Sequence, residues 1–340
     1  MLGPFCLLLL LFTVCSISAE STFTNPVVNS DHPDPGVLRL ADGSFVAVTT
    51  SNDASNSFPI LTSPDLVNWQ ERGYVFPEGK QPEWTVSDYW APEIHEVDGK
   101  YYVIYTAREG STKLLSLGIA YSDQPLGPFI DKGEPMLQNL TVPVGVIDVT
   151  YFREEGKDYL IWKTDDNAQN KPTHIFIREF DFITLSFVES SEIVELLRSD
   201  RDWESNINEG PWMIKHGDLY FLFFSASGFT DPKYSVEVAR SHSLFGPFEK
   251  KSTPILHTDW DLEMYGVDSS FVGPGHCSVV WLEEKGSWWM VFHAWKFGKV
   301  GQEPGRVMLI DEVEISQEGW PQMKRQAFPT VSAQPLPLGP

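Results

Sequence analysis

Three acidic residues sit in stretches that would restrict the backbone and keep water away from a carboxylate. Asp34 lies in His32-Pro33-Asp34-Pro35-Gly36-Val37, Asp148 in Val146-Ile147-Asp148-Val149, and Glu209 in Asn208-Glu209-Gly210-Pro211-Trp212. One such acid is commonly satisfied by loop amides and does nothing further. Three that converge behave differently, because they repel one another and lose solvation, and their pKa values separate into a proton donor and a base. Glycoside hydrolysis uses such a pair across the scissile bond: one carboxyl protonates the departing oxygen and the other acts on the opposite side of the sugar. A third acid can tune the first. Other chemistries lack their residues here. The chain has no Gly-rich phosphate loop followed by Lys, and no Gly-x-Ser-x-Gly elbow for a Ser-His-Asp hydrolase.

Convergence requires elements that bring distant segments together, and a repeat supplies them. A turn followed by an aromatic strand returns five times: Asp42-Gly43 then Phe45, Asp98-Gly99 then Tyr101 to Tyr105, Glu155-Gly156 then Tyr159 to Trp162, His216-Gly217 then Tyr220 to Phe224, and Lys285-Gly286 then Trp288 to Phe292. A glycine in a short loop between β-rich runs marks a hairpin, since the turn needs φ > 0. The interval is about 60 residues, which suits a four-stranded blade with its loops. A second marker recurs later in the period, at Ser63-Pro64-Asp65 through Trp69, Ser122-Asp123 through Phe129 and Ser241-His242 through Phe248. Its constant place suggests each blade's outer hairpin. The fold class expected is all-β, a five-bladed β-propeller, with a β-sandwich as the alternative.

In a propeller the first strand of each blade is innermost and lines the central channel. Counting back from each hairpin glycine at a nearly constant offset reaches Asp34, Trp90, Asp148, Glu209 and His276. Five slots taken as equivalent therefore hold three acids, a Trp and a His.

Composition narrows the partners. The aromatic share of 13 %, with twelve Trp, exceeds ordinary core filling, and aromatic faces are what sugar rings stack on. A net charge of −22 repels nucleic acid and acidic lipid surfaces, so a neutral ligand is the easier fit. Residues 1–19 carry no charged side chain and contain the apolar run Leu7 to Phe12 ahead of small residues, which reads as a signal peptide lacking a basic start. That run is shorter than the ~20 residues a membrane span needs. Residues 20–340 are then one secreted propeller domain. With Cys6 and Cys15 in the leader, the mature chain would keep Cys277 as its single thiol, so no intrachain disulfide forms. Asn139-Leu140-Thr141 is an N-glycosylation sequon.

Together these stretches resemble glycoside hydrolase family 43, from about Asn25 to Pro321. Asn25-Pro26-Val27 followed by Asp34-Pro35 is similar to the family's first-blade motif, whose Asp is the general base. Trp90-Ala91-Pro92-Glu93-Ile94 resembles the second-blade motif, where the Trp walls the sugar pocket, and Ile147-Asp148 with Tyr159-Leu160-Ile161-Trp162 the third, whose Asp orients the acid and raises its pKa. Glu209-Gly210-Pro211 resembles the fourth-blade motif carrying the general acid. Gly305-Arg306, with Gly319-Trp320-Pro321 downstream, resembles the last blade, where the Arg contacts substrate. Gly273-Pro274-Gly275-His276 is similar to the arabinan-acting branch, in which a channel His sits beside a water-coordinated cation, often calcium; a His without metal is the alternative. Cys277 and the acidic run Asp259, Asp261 and Glu263 have no counterpart in that pattern.

The resemblance implies a glycosidase acting on α-L-arabinofuranosyl linkages of plant-type polysaccharides, expected to be monomeric and inverting and to require no cofactor, with a structural Ca2+ in the central channel as one of the two readings of His276. β-D-xylosyl or galactan substrates are alternatives within the family. A carbohydrate-binding propeller without catalysis is the alternative from another class. Loops Pro77 to Val86, Asp165 to Pro172 and Ser225 to Tyr234 would decide between exo and endo action.

Overall fold

A computed structural model describes residues 21–137, 144–259 and 271–338. The leader, the sequon at Asn139, and Asp261 and Glu263 lie outside them.

The strands are apolar on both faces, and the architecture follows from that. In Leu219–Ala226, Phe221 and Phe223 point one way and Leu222 and Phe224 the other, and all four are fully buried. A strand with two apolar faces must be covered on both, which a stack of sheets provides. Phe221 and Phe223 pack toward blade 5 and Leu222 and Phe224 toward blade 3. Five hydrophobic layers of this kind fill the gaps between neighbouring sheets around the ring.

Those sheets are the five expected blades. Blade 1 runs Gly36–Arg39, Phe45–Val48, Ser57–Ser63 and Gln70–Phe76 from the channel outward; blade 2 runs Thr85–Val97, Lys100–Glu109, Leu115–Ser122 and Ile130–Asp131. Blade 3 comprises Val146–Glu154, Lys157–Thr164 and His174–Asp181, with both Ser186–Phe187 and Val194–Arg198 pairing with that third strand. Blade 4 is Asn208–His216, Leu219–Ala226, Ser235–Ser241 and Glu249–Lys250, and blade 5 is Phe271–Leu282, Ser287–Lys296, Arg306–Ile315 and Pro321–Met323. Among the described residues there is no α-helix, only two short 3-10 turns. Each of the five glycine turns joins an inner strand to its neighbour, and each recurrent Ser marker joins the third strand of blades 1, 2 and 4 to the fourth.

The ring closes through the N-terminal segment. Thr22–Phe23 pairs with Gln334–Pro335, and Val28 bridges Met308 on blade 5. Asn25 fixes this seam: its Nδ2 donates to the Ile310 carbonyl at 2.9 Å and its Oδ1 accepts the Ile310 N–H at 3.0 Å. The seam delivers Asp34 to the channel.

Candidate active site

Every inner strand turns sharply where it meets the channel. Asp34, Ala91, Asp148, Gly210 and His276 have φ of 55°, 41°, 56°, 55° and 45°, so each blade places a left-handed residue at the channel. For a residue with a Cβ this conformation costs about 1–3 kcal/mol, so its surroundings must hold it. A side chain on the preceding blade's second strand, or just past its end, accepts its N–H in four blades. Asp34 N–H points to His293 Nδ1 (3.1 Å), Ala91 N–H to Thr50 Oγ1 (2.7 Å), Asp148 N–H to Thr106 Oγ1 (3.1 Å) and His276 N–H to Ser225 Oγ (2.7 Å). Gly210 N–H instead donates to Asp148 Oδ2 at 3.0 Å.

This pattern corrects the equivalence drawn from spacing. Asp34, Asp148 and His276 share the left-handed register, but Trp90 and Glu209 lie one residue earlier, before Ala91 and Gly210. The same bulge follows Trp90, Ile147, Glu209 and Gly275, so it does not separate them. The hairpin glycine does, being second in the two-residue turns of blades 2 and 3, first in that of blade 4 and part of a longer turn in blade 5, so that a count started from it slips by a residue. Gly210 is needed on steric grounds too: a Cβ there would lie 3.0 Å from the His276 ring.

Both registers nevertheless face one pocket of about 450 Å³, lined by Asp34, Trp90, Asp148, Glu209, His276 and Arg306. All six residues expected at the site are thus brought together. Segments 165–168 and 228–230 add walls, whereas no residue of 77–86 reaches the pocket. A larger hollow of about 950 Å³, between blades 4 and 5 at the rim, contains none of the three acids.

The acids receive different electrostatic treatment. Asp34 Oδ1 accepts from Arg306 Nη1 at 2.8 Å, and Oδ2 from the Thr50 hydroxyl at 2.6 Å. Burial works to raise the Asp34 pKa, but Arg306, His276 and His293 together outweigh it and hold the carboxyl well below the usual range. Asp34 is therefore ionised near neutral pH. Burial pushes His293 down to about 4, so near neutral pH it contributes a neutral ring. Asp148 goes the other way: burial and the Glu209 charge lift it to about 6, against His276, Lys163 and the Gly210 N–H. Glu209 is held at both oxygens, Oε1 accepting from the Tyr234 hydroxyl at 2.7 Å and Oε2 from Lys163 Nζ at 3.1 Å.

Arg306 also lies over the Phe229 ring, 4.6 Å from its centre, so it is fixed between the Asp34 carboxylate and an aromatic wall. His276 places Nδ1 3.5 Å from Asp34 Oδ1. Among the described residues no three His, Cys, Asp or Glu converge to hold a metal directly, and the Asp34 carboxylate beside His276 is already taken by Arg306. The side chains present do not make a direct metal site; the cation expected beside His276 is one held through water. Cys277 is a buried free thiol whose pKa burial pushes up.

Sequence reasoning missed Lys163, Thr50, Tyr234 and His293. Lys163, Thr50 and His293 carried a signal: they occupy similar offsets after their hairpin glycines, just as the inner-strand residues do before them.

A five-bladed propeller with three carboxylates, an arginine and aromatic walls around the mouth of its channel defines a class of sugar-handling protein. The chain belongs to glycosyl hydrolases family 43, whose profile matches residues 23–321. It is 29 % identical over 322 residues to a non-reducing end α-L-arabinofuranosidase of Bacteroides ovatus, covering 90 % of this chain and 54 % of that one. To an extracellular endo-α-(1→5)-L-arabinanase of Bacillus subtilis it is 26 % identical, covering 92 % of this chain and 76 % of that one. The crystal structure of a thermostable family-43 glycoside hydrolase superposes with a TM-score of 0.80 at 28 % identity, covering 94 % of this chain and all of the other. The chain spans little more than half the length of several curated relatives it matches. No helix among the described residues is long and apolar enough to cross a membrane.

Proposed function

We propose that this protein is an exported, inverting glycoside hydrolase acting on α-L-arabinofuranosyl linkages. The observation that carries the reading is the unequal treatment of carboxylates in one pocket: a base kept ionised by Arg306, and a neighbour of Glu209 lifted to about 6. Glu209 protonates the departing oxygen. Asp34 takes a proton from the attacking water. Asp148, joined to the Glu209-Gly210 segment through the Gly210 N–H, opposes loss of the Glu209 proton whenever it is itself charged. Trp90 and Phe229 offer apolar faces to the sugar.

Several relatives are named arabinofuranosidases or arabinanases, which supports the arabinosyl substrate, and three are named extracellular, which together with the composition of residues 1–19 supports export. Others are named xylosidases, so β-D-xylosides belong in the test. A panel of nitrophenyl glycosides with arabinan and xylan, read for released sugar, should show its highest kcat/KM on the α-L-arabinofuranoside. Turnover of the xyloside alone would move the substrate class, and silence throughout would favour a carbohydrate-binding propeller.

A further inference from the structure

Blade 3 breaks a rule that the other four obey. Thr50, Thr106, Ser225 and His293 each offer an acceptor to the left-handed N–H of the next blade. The corresponding residue in blade 3 is Lys163, paired with Ile147 as Ser225 is with Glu209 and His293 with Gly275. An ammonium has three donors and no acceptor, so it cannot serve Gly210, and Asp148 Oδ2 takes that N–H instead. The fold does not need a lysine here, since a small hydroxyl does the structural task in three other blades.

Lys163 has no solvent exposure. Its Nζ donates to Glu209 Oε2 at 3.1 Å and to Asn167 Oδ1 at 3.0 Å. Burial alone would lower its pKa, but Glu209, Asp148 and Asp165 outweigh burial and raise it, so Lys163 stays charged. The groups facing this pair are Asp148 and Asp165 from blade 3, Arg108 from blade 2, Tyr234 from blade 4 and His276 from blade 5. Lys163 is the cation in hydrogen-bond contact with Glu209.

We infer that Lys163 is a positioning residue: its ammonium fixes the Glu209 carboxyl and opposes Asp148 in setting how far into alkali Glu209 keeps its proton. The inference rests on Glu209 as the proton donor proposed above. Asp148 favours the protonated acid, Lys163 the ionised one, and the working pH range reflects both. A carboxyl balanced in this way can deliver its proton to the leaving group and, as an anion, fall back onto the ammonium.

The test uses Lys163→Met and Lys163→Gln, the second keeping a polar partner for Asn167. The alkaline limb of the kcat/KM profile should move up by about 1–3 pH units in both, the range expected when an opposite charge beside a carboxylate is removed. A merely structural lysine would lower the rate equally at every pH and leave the limb in place, which would overturn the inference. Carboxyl 13C NMR titration, with the Glu209 signal assigned by its loss in Glu209→Gln, should show the same upward movement without any turnover. An unmoved Glu209 titration in a folded variant overturns the role of Lys163 even if no glycoside is cleaved; an inactive wild type with a moved titration overturns the functional reading alone. Thermal unfolding identifies which variant is folded.

Discussion

Arg306→Met removes the guanidinium that stands 2.8 Å from Asp34 Oδ1 and over the Phe229 ring, and leaves an unbranched apolar side chain in its place. Arg306 and Asp34 are each 7 % exposed, so screening by solvent is weak. An opposite charge at this range lowers a carboxylate by about 1–3 pH units, each worth about 1.4 kcal/mol. Without it, burial acts on Asp34 with less opposition, since His293, pushed down to about 4, brings a neutral ring near neutral pH. Asp34 must be ionised to take a proton from water. In the wild type its carboxyl stays ionised far into acid, so acid-side activity is lost late; in the variant that loss should begin about 1–3 pH units higher. The sign for stability agrees. A depressed carboxylate stabilises the fold above its unfolded pKa of about 3.9, and that stability disappears as pH falls through the folded value. The stability gap between wild type and variant should be widest near neutral pH and close in acid. The assay is kcat/KM on the preferred nitrophenyl glycoside from pH 3 to 9, beside thermal unfolding over the same range. An acid limb at an unchanged pH, with activity lowered uniformly, would refute the argument and leave Arg306 as a substrate contact only.

Asp148→Asn should lower activity, and it should move the alkaline limb to lower pH, because the negative charge that helps Glu209 keep its proton is gone. The same variant should be more stable than wild type at pH 8 but not at pH 3.5: the Asp148 pKa is raised from 3.8 to about 6, so its ionisation opposes folding as pH rises through that interval. That opposition is about 3 kcal/mol once both values are passed, read as a shift in unfolding midpoint. His276→Ala should reduce the rate by less than the ~10²–10⁴-fold lost on removing a proton-transfer group, as in Asp34→Asn or Glu209→Gln. A loss in kcat/KM as deep as that of Glu209→Gln would make His276 part of the proton transfer.

Much of this was legible because the fold repeats. Five glycine turns fixed the blades, and the hairpins they announce all form. Counting back from them found the pocket residues, yet it merged two registers, since the glycine takes different places in turns of different length and only strand pairing reveals where each hairpin begins. The outer hairpins of blades 3 and 5, at Phe182 to Leu185 and Ser316 to Trp320, lack the marker that announces those of blades 1, 2 and 4. Arg306 meeting Asp34, 272 positions away in sequence, depends on ring closure, which no local pattern encodes. Lys163 stood one residue beyond the apolar run Tyr159 to Trp162, where a lysine reads as the solvated end of a strand. The next blade buries it instead.

The mechanism turns on whether Asp34 activates water or attacks the sugar itself. Asp34 comes from the approach to blade 1 and Glu209 from blade 4, two steps apart around the ring, and such acids should stand at the wider spacing of roughly 6.5–9.5 Å that leaves room for a water. Proton NMR of the anomer first released by the wild-type enzyme, recorded before mutarotation, decides between them. Water activated by Asp34 gives a sugar of inverted configuration; a retained one would make Asp34 a nucleophile and contradict the pairing of Asp34 with Glu209 as base and acid.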